Sequence, residues 1–153
     1  MLENGIFIRV IQADDVIEIV KVLKEAHMIG REEQYTNYFN LCVEQTKNNE
    51  RITWIAFAKN KVIGYVNIIF KSVYPFFVEK DIPEINDLYV IPAYRKKGIG
   101  KLLLDQCEKF AAYTYSYIGL GVGLYKDCTQ IMVTYPMEMD WFIIMFKYFQ
   151  EMK

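Results

Sequence analysis

The stretch LYVIPAYRKKGIGKLLLDQCEKFA, residues 88–111, decides the fold. It opens on the end of an apolar run typical of a β-strand, which Pro92 terminates. Three consecutive cations and two glycines follow, and an apolar run with helical spacing begins directly after them. The pattern predicts a strand, a short loop and a helix. The glycines at the helix start need an explanation, because Gly costs about 1 kcal/mol relative to Ala inside a helix.

The glycines and cations of this loop together predict a phosphate site. A helix N-terminus carries unpaired backbone N–H groups and about half a positive charge, so it binds anions. Gly98 and Gly100 lack the β-carbons that would keep a phosphate away from those donors. The cations that add charge at the same place are Arg95, Lys96 and Lys97. The spacing matches neither the Walker loop nor the dinucleotide-binding glycine motif.

Length and composition indicate a single globular domain over residues 1–153. A hydrophobic content of 53% with 24% charged residues excludes an intrinsically disordered chain. The net charge of −1 argues against nucleic acid as the main partner, since a nucleic-acid-binding face needs a basic excess. The apolar run WFIIMFKYF near the end of the sequence is too short to span a bilayer, and the N-terminal residues do not resemble a signal peptide. We therefore expect no membrane partner.

The three cysteines, Cys42, Cys107 and Cys128, are odd in number and widely spaced. Their spacing fits neither a zinc site nor a disulfide framework. We therefore expect free thiols, no metal site and a cytoplasmic location, because a reducing compartment keeps thiols reduced.

The periodicity of apolar residues predicts the element order β-α-α-β-β-β-α-β. Asp14 or Asp15 is the predicted N-cap of the first helix, and a tight turn at Asn60-Lys61 joins the second and third strands. Residues 72–83 are predicted to form a loop. The predicted strands are residues 6–12, 51–59, 61–71, 84–91 and 117–125, and the predicted helices are residues 13–27, 32–46 and 98–113.

Residues 95–100, Arg-Lys-Lys-Gly-Ile-Gly, resemble the R/Q-x-x-G-x-G/A signature of the GNAT family of N-acetyltransferases. Residues 88–111 match the family's strand 4, loop and helix 3, and the order of elements extends the resemblance to about Asp127. The resemblance implies the GNAT acyl-CoA N-acyltransferase fold, an α/β fold of the α+β type with a mixed, mostly antiparallel sheet flanked by helices. It also implies acetyl-CoA as co-substrate and direct acetyl transfer to a primary amine of a small molecule or a protein.

The same resemblance assigns residues to the co-substrate. The pantetheine arm of acetyl-CoA would run along strand 4 beside the backbone of Leu88, Tyr89 and Val90, as an added strand does. The N–H of Val90 would polarise the thioester carbonyl, and the glycines of GLGVG, residues 119–123, would suit close approach of the thioester. The residues assigned to the pyrophosphate are Arg95, Lys96, Lys97, Gly98, Ile99, Gly100 and Lys101.

Two carboxylates are candidates for the general base that removes a proton from the amine. Glu84 stands at the head of strand 4, where many family members carry a catalytic glutamate that acts through water. A solvated charge at a strand end is the alternative for Glu84. Asp87 is the rival carboxylate, and its odd separation from Glu84 predicts that the two lie on opposite faces of the strand.

Other polar residues carry weaker predictions. His27, near the end of the first helix, is predicted to be a surface or helix-terminal side chain. Cys107 is predicted to lie in the core, and Cys128 near the thioester site, where the family's direct transfer needs no nucleophile. Tyr35 and Tyr38 lie on the second helix, where family members gather acceptor-binding residues, but core packing is the stronger expectation.

The family resemblance stops after about Asp127. Relatives continue with a further helix, the family's helix 4, and then a G-Y-x-P-D-G tail, and neither is present. Met and Trp have single codons, so a shifted reading frame forces glycine at the junctions after Met132, Met137 and Met139, and permits G-Y-[LI]-P-D-G. We therefore hypothesise a deletion with a frameshift that truncated the region of helix 4, weakened activity and favoured a homodimer through an uncovered sheet edge.

Two further classes of function compete with an active enzyme. A catalytically weakened acyl-CoA-binding or protein-interaction remnant of the same fold is the second hypothesis. A nucleotide-binding module is disfavoured, because the sequence offers neither an acidic ribose partner nor a metal-binding set.

Overall fold

The computed structural model describes residues 5–26, 30–123 and 130–136. These residues form one six-stranded sheet whose strands lie side by side in sequence order, with helices on both faces. The strands are β1 (Ile6–Val10), β2 (Arg51–Ala58), β3 (Lys61–Ile69), β4 (Glu84–Val90), β5 (Tyr117–Gly123) and β6 (Gln130–Pro136). The helices are α1 (Asp15–Glu25), α2 (Glu32–Lys47), α3 (Pro75–Lys80) and α4 (Ile99–Ala111).

Every neighbouring pair of strands is antiparallel except β4 and β5, which are parallel. A parallel pair needs a crossover connection, and α4 provides it. The mixed, mostly antiparallel sheet flanked by helices confirms the predicted fold class.

Helix α4 covers one face of the sheet. Its apolar residues recur at helical spacing and are almost completely buried, as Ile99, Leu103 and Cys107 illustrate. They pack on a layer that includes Ile63 of β3 and Ile85 of β4. This contact places the N-terminal end of α4 beside the C-terminal half of β4, where the phosphate site was predicted.

Helices α1 and α2 cover the opposite face. Leu23 of α1 and Phe39 of α2 are fully buried against Ile55 of β2 and Tyr65 of β3. The ring of Phe39 meets the ring of Tyr65 edge-on, with centroids 5.0 Å apart. Through Phe39, helix α2 therefore contacts the part of β3 that pairs with β4.

Local details differ from the sequence predictions at three places. Residues predicted as a loop include the helix α3, which Pro75 starts at its first turn and buried Phe77 holds in place. The turn between β2 and β3 is Lys59-Asn60, with both residues at positive φ as a type I′ turn requires, one residue earlier than predicted. Asp14 is the N-cap of α1 but makes no side-chain capping bond.

The strand β6 follows β5 after only six residues in sequence, 124–129. The predicted truncation of helix 4 falls on these residues, which lie outside the described part of the chain. Strand β6 pairs antiparallel with β5 along its whole length and is the last strand of the described sheet. In the part of the chain that the structure describes, no helix is long and apolar enough to cross a membrane.

Candidate functional site

The parallel strands β4 and β5 pair at only two positions, Glu84 with Gly119 and Ile85 with Leu120. Both strands continue past these pairs, β4 as far as Val90. The stretch of β4 after Ile85 therefore pairs with β3 on one side and not with β5 on the other. A gap between two parallel strands exposes backbone donors and acceptors to which an extended ligand can hydrogen-bond as an added strand does. Leu88, Tyr89 and Val90 lie in this stretch.

The helix α4 begins at this gap. Gly98 precedes the helix at φ +83°, a left-handed conformation that Gly adopts without strain. The first helical hydrogen bond runs from the N–H of Leu102 to the carbonyl of Gly98, at 3.1 Å. The N–H groups of Ile99, Gly100 and Lys101 precede that bond, so they belong to the orphan donors of the helix start. The geometry fits a bound phosphate group.

The local structure constrains the two glycines of the motif differently. No atom lies within 4 Å of the place where a β-carbon on Gly98 would stand, so it is the backbone conformation that requires glycine. A β-carbon on Gly100 would stand 4.0 Å from Val90 Cγ2, which is ordinary contact. Position 100 therefore accepts alanine, as the G/A alternative in the motif implies.

The predicted cations surround the helix start and are exposed. Arg95 donates from Nε to the carbonyl of Val90 at 2.9 Å, and its guanidinium carbon lies 5.4 Å from the centre of the Tyr89 ring. The ammonium of Lys97 lies 5.4 Å from the centre of the Tyr94 ring. Lys101 forms an ion pair with Asp105 at 3.1 Å. Arg95 thus ties the loop to β4.

A β-bulge interrupts β4 at Asp87. Tyr65 pairs with Tyr89 and Asn67 with Asn86, so two residues of β4 stand opposite one residue of β3. Asp87 has φ +53°, which Asp tolerates better than most residues. The bulge breaks the alternation of side chains, and Asp87 reaches the face that α2 covers, beside Tyr38.

The prediction that Glu84 and Asp87 lie on opposite faces is therefore wrong. Ile85 packs in the core under α4, so alternation places Glu84 on the α2 face as well. The physical reason is the inserted residue, which shifts the side-chain alternation by one.

Glu84 is buried, with 7% of its surface exposed, and is not the solvated strand-end charge of the alternative prediction. Its carboxylate accepts a hydrogen bond from the hydroxyl of Ser72, which is also buried. Ser72 in turn accepts a hydrogen bond from the N–H of Tyr74 at 3.0 Å. The Glu84 carboxylate thus stands at the first β4–β5 pair, at the closed end of the gap, with one oxygen held by Ser72.

A cleft of about 340 Å³ opens on the α2 face of the sheet. Four tyrosines line it, two from α2, one from β3 and one from β4, and we call it the tyrosine cleft: Tyr35, Tyr38, Tyr65 and Tyr89. Asp87 is the only carboxylate among the described residues that line this cleft, and Arg31 and Gln34 complete the lining. Because Asp87 and Tyr89 also belong to the stretch of β4 beside the gap, the cleft and the gap meet at β4.

A hydrogen-bonded series of buried side chains orients Tyr38. The Thr53 hydroxyl donates to Asn67 Oδ1, and Asn67 Nδ2 donates to the hydroxyl oxygen of Tyr38 at 3.1 Å. Thr53 and Asn67 are completely buried in the centre of the sheet. Since Tyr38 accepts from Asn67, its own proton is free to be donated to the neighbouring Asp87 carboxylate.

The tyrosines of the cleft are neutral. Burial, together with the nearby Asp87 carboxylate, raises the pKa of Tyr38 and of Tyr65 well above the usual value for a phenol. Both hydroxyls therefore keep their protons at physiological pH. The raised pKa also makes Tyr38 a poor candidate for the acid that protonates a leaving thiolate.

Several of these residues had no signal in the sequence. Ser72, Thr53 and Asn67 are ordinary polar residues at strand ends or within strands, and only the register of β2, β3 and β4 brings them to the site. Tyr65 was hidden in a strand-like apolar run. Tyr35 and Tyr38 pack against the core, which was the stronger expectation, and they also line the cleft.

The remaining candidates lie away from the site or outside the described residues. Cys107, a residue of α4, is completely buried in the core, as predicted. Cys42, a residue of α2, is also buried, and both are free thiols. Burial raises the pKa of both thiols, which lowers their reactivity. His27 and Cys128 lie outside the described residues. Among the described residues, no group of three or more His, Cys, Asp or Glu side chains is arranged to hold a metal ion.

Comparisons with known proteins agree with this geometry. The model of the acetyltransferase (GNAT) family matches residues 16–124. An uncharacterized N-acetyltransferase of Archaeoglobus fulgidus is 26% identical over 110 residues, which cover 68% of this chain and 72% of that protein.

Solved structures share the fold. A PaiA N-acetyltransferase from Thermoplasma acidophilum in complex with coenzyme A matches with a TM-score of 0.59 and 22% identity, over 77% of this chain and 79% of that one. A predicted acetyltransferase from Clostridium acetobutylicum with acetyl-CoA matches with a TM-score of 0.52 and 25% identity, over 71% and 74% of the two chains.

Proposed function

The chain belongs to the acetyltransferase (GNAT) family, and we propose that it transfers an acetyl group from acetyl-CoA directly to a primary amine of a small molecule or a protein. Acetyl-CoA-dependent acetyl transfer is the activity of the family, and acetyl-CoA is the co-substrate. The amine acceptor and the residues assigned below are our proposal.

The observation that carries the proposal is the gap between β4 and β5, with the start of α4 at its side. Leu88, Tyr89 and Val90 would pair with the pantetheine arm, because β5 does not pair with this stretch. The pyrophosphate would bind at the helix start, and the residues assigned to it are Arg95, Lys96, Lys97, Gly98, Ile99, Gly100 and Lys101. The left-handed backbone of Gly98 supports this assignment.

The chemistry requires two proton transfers. The ammonium of the acceptor loses a proton to a base, the free amine attacks the thioester carbon, and a carbon–nitrogen bond replaces the carbon–sulfur bond. The CoA thiolate leaves and takes up a proton that the attacking nitrogen releases. We assign the base to Glu84, acting through water, since its carboxylate stands at the closed end of the gap and has one oxygen bonded to Ser72. Asp87 is the rival base.

A thiol-release assay tests this function. The protein is incubated with acetyl-CoA and a panel of amines that includes small amines, a lysine-containing peptide and a free peptide N-terminus, and the release of CoA thiol is recorded. We expect release that depends on both protein and amine. Binding of acetyl-CoA without thiol release in the presence of any amine of the panel would contradict the proposal.

The second candidate function is an acyl-CoA-binding remnant of weakened activity. The sequence after about Asp127 favours it, since it lacks the run typical of the family's helix 4, which carries a tyrosine that acts as acid toward the thiolate. Tight binding of acetyl-CoA combined with thiol release no faster than the uncatalysed reaction would support this candidate. Rapid turnover with an ordinary amine would exclude it.

We also propose a cytoplasmic homodimer. Strand β6 is the last strand of the described sheet, and the edge of such a strand can pair with a second copy of the chain. Two free, buried thiols suit a reducing compartment. Light scattering coupled to size exclusion tests the assembly: a mass of two chains is expected, and a single-chain mass at high concentration would contradict it.

A further inference from the structure

We propose that the tyrosine cleft binds the acceptor as a primary ammonium ion on an alkyl or arylalkyl body, with Asp87 as its counter-ion. The inference rests on the proposed N-acetyltransferase function and names the substrate class of that site. It starts from one juxtaposition: a carboxylate at the β4 bulge, tyrosine rings on the walls around it, and the β4–β5 gap beside it.

The negative charge of Asp87 favours a cationic ligand at the β4 side of the cleft. No lysine or arginine among the described residues lies within ion-pair distance of Asp87. Tyr38 and Tyr65 are held neutral and offer no positive charge. Of the described residues that line the cleft, one is a cation, the exposed Arg31 that precedes α2. Asp87 is itself exposed, and an ammonium ion is the ligand group that would pair with its charge in the cleft.

The walls of the cleft suit a hydrocarbon body next to that ammonium. The rings of Tyr65 and Tyr89 stack with centroids 5.7 Å apart and planes 28° apart. Tyr35 and Tyr38 lie three residues apart on α2, so they share a helix face toward the cleft. Aromatic rings attract cations and bury apolar surface, which is how proteins recognise alkylammonium groups. A small hydrophilic amine would leave these rings without contact.

The Asp87 carboxylate is held in a defined place. The bulge sets its backbone in the left-handed conformation, and Tyr38, fixed by Asn67 and Thr53, stands beside it. A fully buried polar series in the centre of a sheet orients groups at its end. Asp87 directly precedes Leu88, the first residue assigned to the pantetheine arm. An amine paired with Asp87 therefore lies beside the stretch of β4 that is assigned to the pantetheine arm.

The arrangement also predicts which acceptors are rejected. An acidic acceptor such as glutamate would bring a second carboxylate toward Asp87 and the neutral rings, where burial of a charge is costly. A diamine would place its second ammonium toward Arg31, where like charges repel. We expect phenethylamine to be a better acceptor than glutamate or 1,4-diaminobutane.

Two variants with matched chemistry test the proposal. Asp87→Asn removes the charge and keeps the shape, and Asn tolerates the left-handed backbone as well as Asp does. Asp81→Asn is the control, since Asp81 has the same φ of +53°, is exposed, and does not line the cleft. Steady-state kinetics with phenethylamine and acetyl-CoA are measured for both variants. A charge-assisted contact corresponds to a change of roughly tenfold or more in affinity. We expect KM for phenethylamine to rise about tenfold or more in Asp87→Asn only, with the KM for acetyl-CoA unchanged.

Binding without turnover separates this inference from the proposed function. Amide NMR spectra of the protein with phenethylamine are expected to shift at Tyr35, Tyr38 and Asp87 in the wild type and in Asp81→Asn, and to shift far less in Asp87→Asn. If thiol release is absent but these shifts occur, the acetyl-transfer proposal fails and the cation site stands. If thiol is released with equal KM in Asp87→Asn and Asp81→Asn, or if the shifts are equal in the two variants, the cation site is overturned.

Discussion

The ring of Phe77 in α3 lies where a β-carbon on Gly119 of β5 would stand. Phe77 is 1% exposed, and Gly119 is the β5 residue that pairs with Glu84 at the closed end of the gap. The glycine at 119 thus lets α3 pack directly on the sheet beside the proposed base. Close approach at this glycine is to a phenylalanine ring, whereas the sequence had suggested close approach of the thioester.

Gly119→Ala is expected to destabilise the fold by about 1–3 kcal/mol, because the added methyl overlaps the ring of Phe77, which is almost completely buried. Urea unfolding monitored by circular dichroism measures it. Gly100→Ala is the matched control, since its β-carbon has ordinary room, and it is expected to be neutral or stabilising by up to about 1 kcal/mol. Equal unfolding midpoints for the two variants would refute the packing argument.

Glu84→Gln is expected to lower kcat by roughly 10²–10⁴-fold while the Kd for acetyl-CoA stays nearly constant, since a base acts on the amine and not on co-substrate binding. Turnover and calorimetric binding give the two quantities. Glu79→Gln, on the exposed surface of α3, is the control and should keep the wild-type rate. An unchanged rate in Glu84→Gln would move the role to Asp87 or to bulk water.

The ion pair between Arg9 and Asp15 gives a pH-dependent stability. Both Asp15 oxygens accept from the Arg9 guanidinium at 2.7 Å, and the N–H of Gln12 donates to one of them at 2.7 Å. Burial acts to raise the pKa of Asp15, but these hydrogen bonds outweigh burial and hold the pKa below its usual value. A lowered pKa in the folded state means that the stabilisation is present above the unfolded pKa of about 4 and is lost as pH falls through the folded pKa.

Asp15→Asn is therefore expected to be less stable than the wild type at pH 7, with a difference that shrinks as the pH falls below about 4. Urea unfolding at pH 7 and at pH 3 measures the two differences. Asp14→Asn, at an exposed N-cap that makes no side-chain capping bond, is the control. A destabilisation of the same size at both pH values would show that the charge of Asp15 does not contribute.

The start of α4 and most strands were predictable from the sequence because they depend on local patterns. The conformation of Gly98 follows from a single residue type between a cation cluster and an apolar helical run. Both β2 and β3 are largely apolar runs, which are typical of strands covered on both faces, and the structure buries nearly every residue of each. Local composition was sufficient to predict the helix start at which we propose that the phosphate binds.

The tyrosine cleft and the bulge were not predictable, because both depend on register between distant strands. The run EINDLYVI is typical of one uninterrupted strand, and only the pairing with β3 reveals that Asp87 is part of a bulge. Tyr65 and Tyr89 come together through the same pairing. Helix α3 was missed because one buried ring, Phe77, holds six residues that have weak helical periodicity of their own.

The hypothesis of a frameshift after about Asp127 makes a prediction about the gene. The shifted frame across the codons of residues 132–142 is expected to encode G-Y-[LI]-P-D-G-[DN]-G-L-V, in which the codons of Met132, Met137 and Met139 force the three glycines. Sequencing this region of the gene, and the same region in genes of near-identical chains, shows whether the shifted frame encodes this tail. The hypothesis would be refuted if the genes of relatives encoded the same tail as this chain and if no reading frame of those genes encoded the family's G-Y-x-P-D-G tail.

Calorimetric titration of acetyl-CoA into wild type and Gly98→Asp tests the central claim, that acetyl-CoA binds in the β4–β5 gap with its pyrophosphate at the start of α4. Gly98→Asp adds a negative side chain among the orphan N–H groups, while Gly5→Asp makes the same change at another exposed glycine with positive φ, on the far edge of the sheet. We expect Gly5→Asp to bind as the wild type does and Gly98→Asp to lose binding. Equal Kd values for wild type and Gly98→Asp would contradict the account.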